Sequence, residues 1–157
     1  FPRPLKGREG CHFSFSGLKT SVRETIAGLG AIDDRTVDDI CASFEAAIVE
    51  TMRDRVGRGM DQFLESFSSP HPPMLVVAGG VAANKALRGA LDGLAKARGF
   101  ALSAPPLHLC TDNAAMVAWA GAERLALGLV DDLDAPARPR WPLDPGAEKA
   151  PGAGVKA

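Results

Sequence analysis

Between residues 12 and 30, "HFSFSGLKTSVRETIAGLG", apolar positions first alternate at Phe13 and Phe15 and then recur as Leu18, Val22, Ile26 and Leu29. The change of period predicts a short strand feeding a helix, with Ser16 as its N-cap. Thr36 followed by Asp39 has the spacing of a capping box. Val37, Ile40, Phe44, Ile48 and Met52 then trace one face of a long helix reaching about Met60. "SSPHPP" interrupts the pattern, and "MLVVA" after it is short, continuous and β-branched, as in a strand buried on both faces. The next helix puts Leu87, Leu91 and Leu94 on one side and closes with Lys96 and Arg98 before Gly99, a cationic last turn and glycine C-cap. "FALSAPP" reads as a second short strand stopped by prolines, and "NAAMVAWAGAERLALGL" as an alanine-rich helix. From Val130 the chain is aperiodic and rich in Pro, Ala and Gly, which predicts an extended tail. Two strand-loop-helix units beside long helices make an α/β layer arrangement, divided as a body over 1–130 and a tail over 131–157.

Composition narrows the class. The 157 residues are 46% hydrophobic and 24% charged, an ordinary globular balance. No apolar run approaches the roughly 20 residues of a membrane span, so a soluble protein is expected, with no membrane partner. The opening "FPRPLKGREG" is neither a signal peptide nor preceded by methionine, which suggests a piece of a longer protein. A net charge of −1 gives no overall footprint of a nucleic-acid binder; Arg3, Lys6 and Arg8 read as solvated linker charge. Cys11, Cys41 and Cys110 are odd in number and lack CxxC spacing, which favours a reducing compartment, by default the cytoplasm.

Three stretches offer chemistry. In "VVAGGVAAN" a strand runs through glycines into a helix, so free backbone N–H groups and the positive end of the helix dipole gather at the strand's carboxyl edge, where open α/β sheets bind ligands. Gly79 and Gly80 would admit a ligand to the backbone, and Asn84 carries donor and acceptor on one amide. A tight turn without a ligand explains the same residues equally well, and the pattern is neither GxGxxG nor a Walker loop. In "LHLCTDNAAM", Thr111, Asp112 and Asn113 are all good N-caps, while the Asp112 carboxylate is also a plausible metal ligand. His108, Cys110 and Asp112 would face one side only on extended backbone, and a self-contained metal site at that spacing is uncommon. "FSFSGLKT" suits either a phosphate or ordinary capping, and the acids of the long helix read as its solvated face. No Ser/His/Asp or Cys/His order compels a nucleophile.

Taken in order, "FSFSGLKTSV", "LVVAGGVAANKALR", "LCTDNAAMVAWAG" and "ARPRWPL" resemble the C-terminal half of the TsaD family, also called Gcp or YgjD, from Phe1 to about Leu143. The resemblance implies part of an actin/hexokinase/Hsp70-type, ribonuclease H-like ATPase fold, here a helix-rich C-terminal fragment with short strands. It implies a tRNA N6-adenosine threonylcarbamoyltransferase, which moves threonylcarbamoyl from threonylcarbamoyl-AMP to N6 of the adenosine beside the anticodon. One divalent iron or zinc ion is implied as cofactor, with tRNA and TsaB-like and TsaE-like proteins as partners. Asp112 matches the family's aspartate metal ligand, Asn84 its adenylate-binding asparagine, and Gly79 and Gly80 its adenosine-loop glycines. The family's HxxxH histidines do not occur in this chain, so the chain alone is expected to be inactive. The older reading of such sequences as zinc metalloproteases would require a base beside a metal-bound water, and no HExxH is present. A non-catalytic nucleotide- or partner-binding relative would be expected to lack the "CTDN" ligand.

Overall fold

A computed structural model describes residues 1–68, 70–111 and 114–135. The chain divides into two compact units, Phe1–Thr111 and Asp112–Ala157. In the first, helix α1 (Leu18–Leu29) and helix α2 (Asp34–Ser66) precede strand β1 (Met74–Val76), a 3-10 turn (Gly80–Ala83), helix α3 (Lys85–Ala97), strand β2 (Ala101–Ser103) and a 3-10 turn (Leu107–Leu109). In the second, the described residues form helix α4 (Ala114–Ala126). The α/β reading therefore holds in its coarse form, helix-rich with one short parallel sheet. The tail beyond residue 135 lies outside the described residues.

β1 and β2 pair in parallel, Met74 opposite Ala101, Leu75 opposite Leu102 and Val76 opposite Ser103. The crossover between them is α3. Its Leu87, Leu91 and Leu94 are buried, as their spacing predicts, and join Met60, Ala95 and Phe100 in the core, with Leu75, Val77 and Leu102 from the strand segments packed against them. One expectation fails here: Met74 and Val76 are 61% and 66% exposed, so β1 is covered on one face only. A two-stranded sheet with a single layer of helix has only one inner face, and the alternate residues of each strand point away from it.

Three local readings are corrected. Phe13 and Phe15 do not form a strand; Ser16 N–H instead bonds Ser14 Oγ and Leu18 N–H bonds the Phe15 carbonyl. The residue capping α1 is Gly17 rather than Ser16, at φ 81°, with no side-chain cap. The long helix starts earlier, with Asp33 as its cap accepting from Thr36 N–H at 2.8 Å and from the Thr36 hydroxyl, and it continues past Met60 to Ser66. Contacts with the α3–β2 connection support that extra length. Asp61 takes a two-pronged ion pair from Arg98, and Phe63 packs edge-on against Phe100. Gly57 makes room for the pairing, since a Cβ there would stand 3.1 Å from the Arg98 guanidinium.

The N-terminal segment lies along α2. Glu50 accepts from Arg3 at 2.9 Å and from Lys6 at 2.6 Å, and Gly7 N–H bonds Asp54. Hydrogen bonds from Arg3, then from Lys6, hold the Glu50 carboxyl down at about 2. A carboxylate depressed in the folded state contributes its full stabilisation above the unfolded value near 4.5, and loses it as pH falls through the folded value. Acidification from about pH 4.5 towards 2 should therefore release this tether. An NMR titration of the Glu50 side-chain carboxyl carbon checks it: a midpoint near 4.5 would show that Arg3 and Lys6 do not engage the carboxylate in solution.

Candidate adenylate loop

The loop after β1 is built by three residue choices. Val77 N–H extends the ladder to the Ser103 carbonyl at 2.9 Å, and the chain then turns at Gly79 with φ 82° and ψ −179°. That region is essentially closed to residues with a Cβ, so Gly79 is required by the backbone. Gly80 is not: its φ is ordinary and a Cβ there would meet only the Cys110 carbonyl, at 3.8 Å. The 3-10 turn closes with Ala82 N–H on the Gly79 carbonyl and Asn84 N–H on Val81.

Asn84 is the N-cap of α3. Its Oδ1 accepts from Leu87 N–H at 2.8 Å, and its Nδ2 donates to Glu45 Oε1 on α2, also at 2.8 Å. A primary amide has two N–H bonds and two lone pairs. Among the described residues one of each is used, and one of each remains on an exposed side chain. Glu45, one of the acids that the pattern assigns to the solvated face of α2, is a partner that nothing in its spacing marks. Beside the pair lies an open cleft of about 380 Å3 lined by Phe44, Glu45, Ile48, Val81, Asn84 and Leu87, among others. Apolar walls with two polar groups at one edge suit a flat heterocycle that carries hydrogen-bonding edges.

The loop after β2 runs through Pro105 and Pro106 into the 3-10 turn and ends at Cys110, whose N–H bonds the Leu107 carbonyl. Cys110 is fully buried. Its thiol faces the Pro105 carbonyl at 3.6 Å and the Arg88 guanidinium at 3.4 Å. His108 is exposed on the tight turn, so the backbone there is not the extended one that would align it with Cys110. Among the described residues no three His, Cys, Asp or Glu side chains form a metal-holding group. Asp112 itself lies outside the described residues.

Phe13, Phe15 and Leu18 line an apolar groove of about 490 Å3 with Phe44, Ile48 and Met52 of α2. Gly79, Gly80 and Asn84 are thus brought together on one loop beside a cleft, with Gly79 and the Asn84 cap explained by the turn, and Gly80 and the remaining valences of Asn84 not.

Comparison with known proteins identifies the family. Residues 1–119 match the family described as TsaD: tRNA N6-adenosine threonylcarbamoyltransferase. A protein of that name from Rhizobium meliloti is 58% identical over 155 residues, covering 98% of this chain and 43% of its own length. Those of Brucella suis and Brucella ovis are 59% identical over 143 residues, covering 91% of this chain and 40% of theirs. The chain spans about two fifths of the length of these curated relatives. A match that takes in both the β1–α3 loop and the β2 junction places the chain in the TsaD family of tRNA N6-adenosine threonylcarbamoyltransferases.

Proposed function

We propose that this chain is the C-terminal part of an enzyme that transfers threonylcarbamoyl from threonylcarbamoyl-AMP to N6 of an adenosine beside the tRNA anticodon, on an actin/hexokinase/Hsp70-type fold. The carrying observation is the 58–59% identity to transferases of that name over more than nine tenths of the chain, a span that includes the loop holding Gly79, Gly80 and Asn84. In this reading the loop binds the adenylate. The amides at the start of α3 and the positive end of its dipole favour the anionic group, and Gly80 leaves the backbone bare to it. The free N–H and lone pair of Asn84 meet the nucleoside.

The reaction needs no covalent enzyme intermediate. The N6 lone pair forms a bond to the carbamoyl carbon, the bond from that carbon to the phosphate oxygen breaks, AMP leaves with the electron pair, and N6 gives up a proton. Orientation supplies much of the acceleration for such a weak nucleophile. The described residues do not by themselves make a metal centre, and the reading assigns this chain one ligand, Asp112, of a divalent iron or zinc whose other ligands lie outside it. When bound, such an ion polarises an oxygen of the mixed anhydride. The chain alone is inactive in this reading, and the working enzyme is cytoplasmic, acting on tRNA with TsaB-like and TsaE-like partners. Among the described residues no helix is long and apolar enough to cross a membrane.

The test uses a full-length family enzyme carrying this chain, with both partner proteins, threonylcarbamoyl-AMP and tRNA. Labelled threonine should appear in tRNA, and its absence would overturn the transferase reading. Asn84→Ser keeps a good N-cap and gives up the exposed hydrogen bond to Glu45, so stability should fall by about 1 kcal/mol at most. The KM for the adenylate should rise roughly tenfold, the equivalent of one lost hydrogen bond, while the KM for tRNA stays put. An unchanged adenylate KM would remove Asn84 from the binding site.

A further inference from the structure

The guanidinium of Arg88, in the first turn of α3, bridges two loops. Nε donates to the Ala82 carbonyl at 3.0 Å, inside the 3-10 turn that follows Gly79. Nη2 donates to the Pro105 carbonyl at 3.1 Å and approaches the Cys110 sulfur at 3.4 Å, both in the loop after β2. The Arg88 amide meanwhile bonds the Asn84 carbonyl, so main chain and side chain hold the same loop from two directions. Ala82 and Cys110 are fully buried, which leaves little water to replace these bonds if the guanidinium is lost. The ladder between the strands ends at Val77 and Ser103; Arg88 ties the connection beyond that point.

We propose that Arg88 is a positioning residue of the transferase, fixing the adenylate loop against the Pro105-to-Cys110 loop so that Asn84 and the bare backbone at Gly80 keep their geometry for the nucleotide. The proposal rests on the adenylate reading given above. A rigid planar fork is what this task needs, since two carbonyls and a sulfur lie around one cation at fixed angles. Lysine is a point charge on a flexible stem and meets one of them at a time. Arg88 need not touch substrate; it acts through residues 79–84. It also braces Cys110, two residues ahead of Asp112 in sequence.

Arg88→Lys and Arg88→Met in the full-length enzyme test this, with two readouts. Amide hydrogen exchange should quicken roughly tenfold or more in both segments, 79–84 and 104–110, while the α3 core around Leu91 keeps its protection. The kcat for tRNA modification should fall roughly a hundredfold in both variants, because a displacement near 1 Å at the substrate suffices for that. Failure of lysine to rescue separates the fork from the charge. Wild-type exchange in either segment of Arg88→Lys, or a wild-type kcat, would overturn the proposal, as would protection lost uniformly through α2 and α3. If the wild-type enzyme carried no threonine to tRNA, the functional reading would fall, while the exchange data would still decide whether Arg88 clamps the loops.

Discussion

Replacing Arg55 by methionine is expected to cost about 3–5 kcal/mol and to detach the N-terminal segment from α2, the largest stability effect anticipated for a single side chain here. Arg55 is 1% exposed at the middle of α2. Its Nη1 donates to the Leu5 carbonyl at 2.8 Å, and its Nη2 to those of Arg8 at 2.5 Å and Gly10 at 2.8 Å. Asp54 Oδ2 sits 3.2 Å from Nε, close enough for charge attraction, although the angle does not make a hydrogen bond. Hydrogen bonds from a charged donor contribute about 1.5–3 kcal/mol each, and methionine would leave three carbonyls without it. Leu5 raises the stakes. Its φ of 62° is the single positive value among the described non-glycine residues, a conformation costing about 1–2 kcal/mol that is held while Arg55 grips its carbonyl. Denaturant unfolding measures the loss, and hydrogen exchange should show residues 1–10 opening first. A penalty below about 1 kcal/mol would mean that water satisfies those carbonyls as well as the guanidinium does. Against a typical total of about 5–15 kcal/mol, a loss of the expected size approaches unfolding.

Arg55 also shows what spacing along the chain conveys and what it hides. The leucines of α3 announced themselves because a helix that buries one face must repeat apolar residues every three or four positions, and Leu87, Leu91 and Leu94 are buried accordingly. β1 and β2 were legible as short apolar runs bounded by breakers. Arg55, Arg88 and Glu45 carry no such period. Each is a charged residue on a helix, the usual mark of a solvated face, and each turns out to be an anchor because a segment distant in sequence brings carbonyls or an amide to it. The expected strand at Phe13 and Phe15 failed for a related reason: alternation over four residues is also what a coil shows when its aromatic side chains lie along a helix groove. At the candidate site, the turn was readable from Gly79 and the N-cap from Asn84. The assignment of an adenylate to that turn came from the family resemblance and not from spacing.

In the proposed reading of Asp112 as a metal ligand, its replacement has the largest expected effect on activity. Two accounts of this aspartate compete, and they respond differently to isosteric change. As an N-cap of the following helix, Asp112 would be worth about 1 kcal/mol, and asparagine would serve equally well. As a metal ligand, it supplies a negative oxygen that asparagine cannot. On the ligand account, Asp112→Ala and Asp112→Asn in the full-length enzyme should both lower tRNA modification by roughly a thousandfold or more, the scale of several kcal/mol of lost charge stabilisation. Metal analysis should show depleted iron or zinc in both proteins. Melting temperature should fall by a few degrees at most, and less in Asp112→Asn than in Asp112→Ala if the side chain also caps the helix. Thr111 and Asn113, both good caps on either side, make a purely capping role for Asp112 the easier one to replace. An Asp112→Asn enzyme that modifies tRNA at the wild-type rate with full metal content would end the ligand assignment. The resemblance to the family's "CTDN" motif would then rest on helix capping alone.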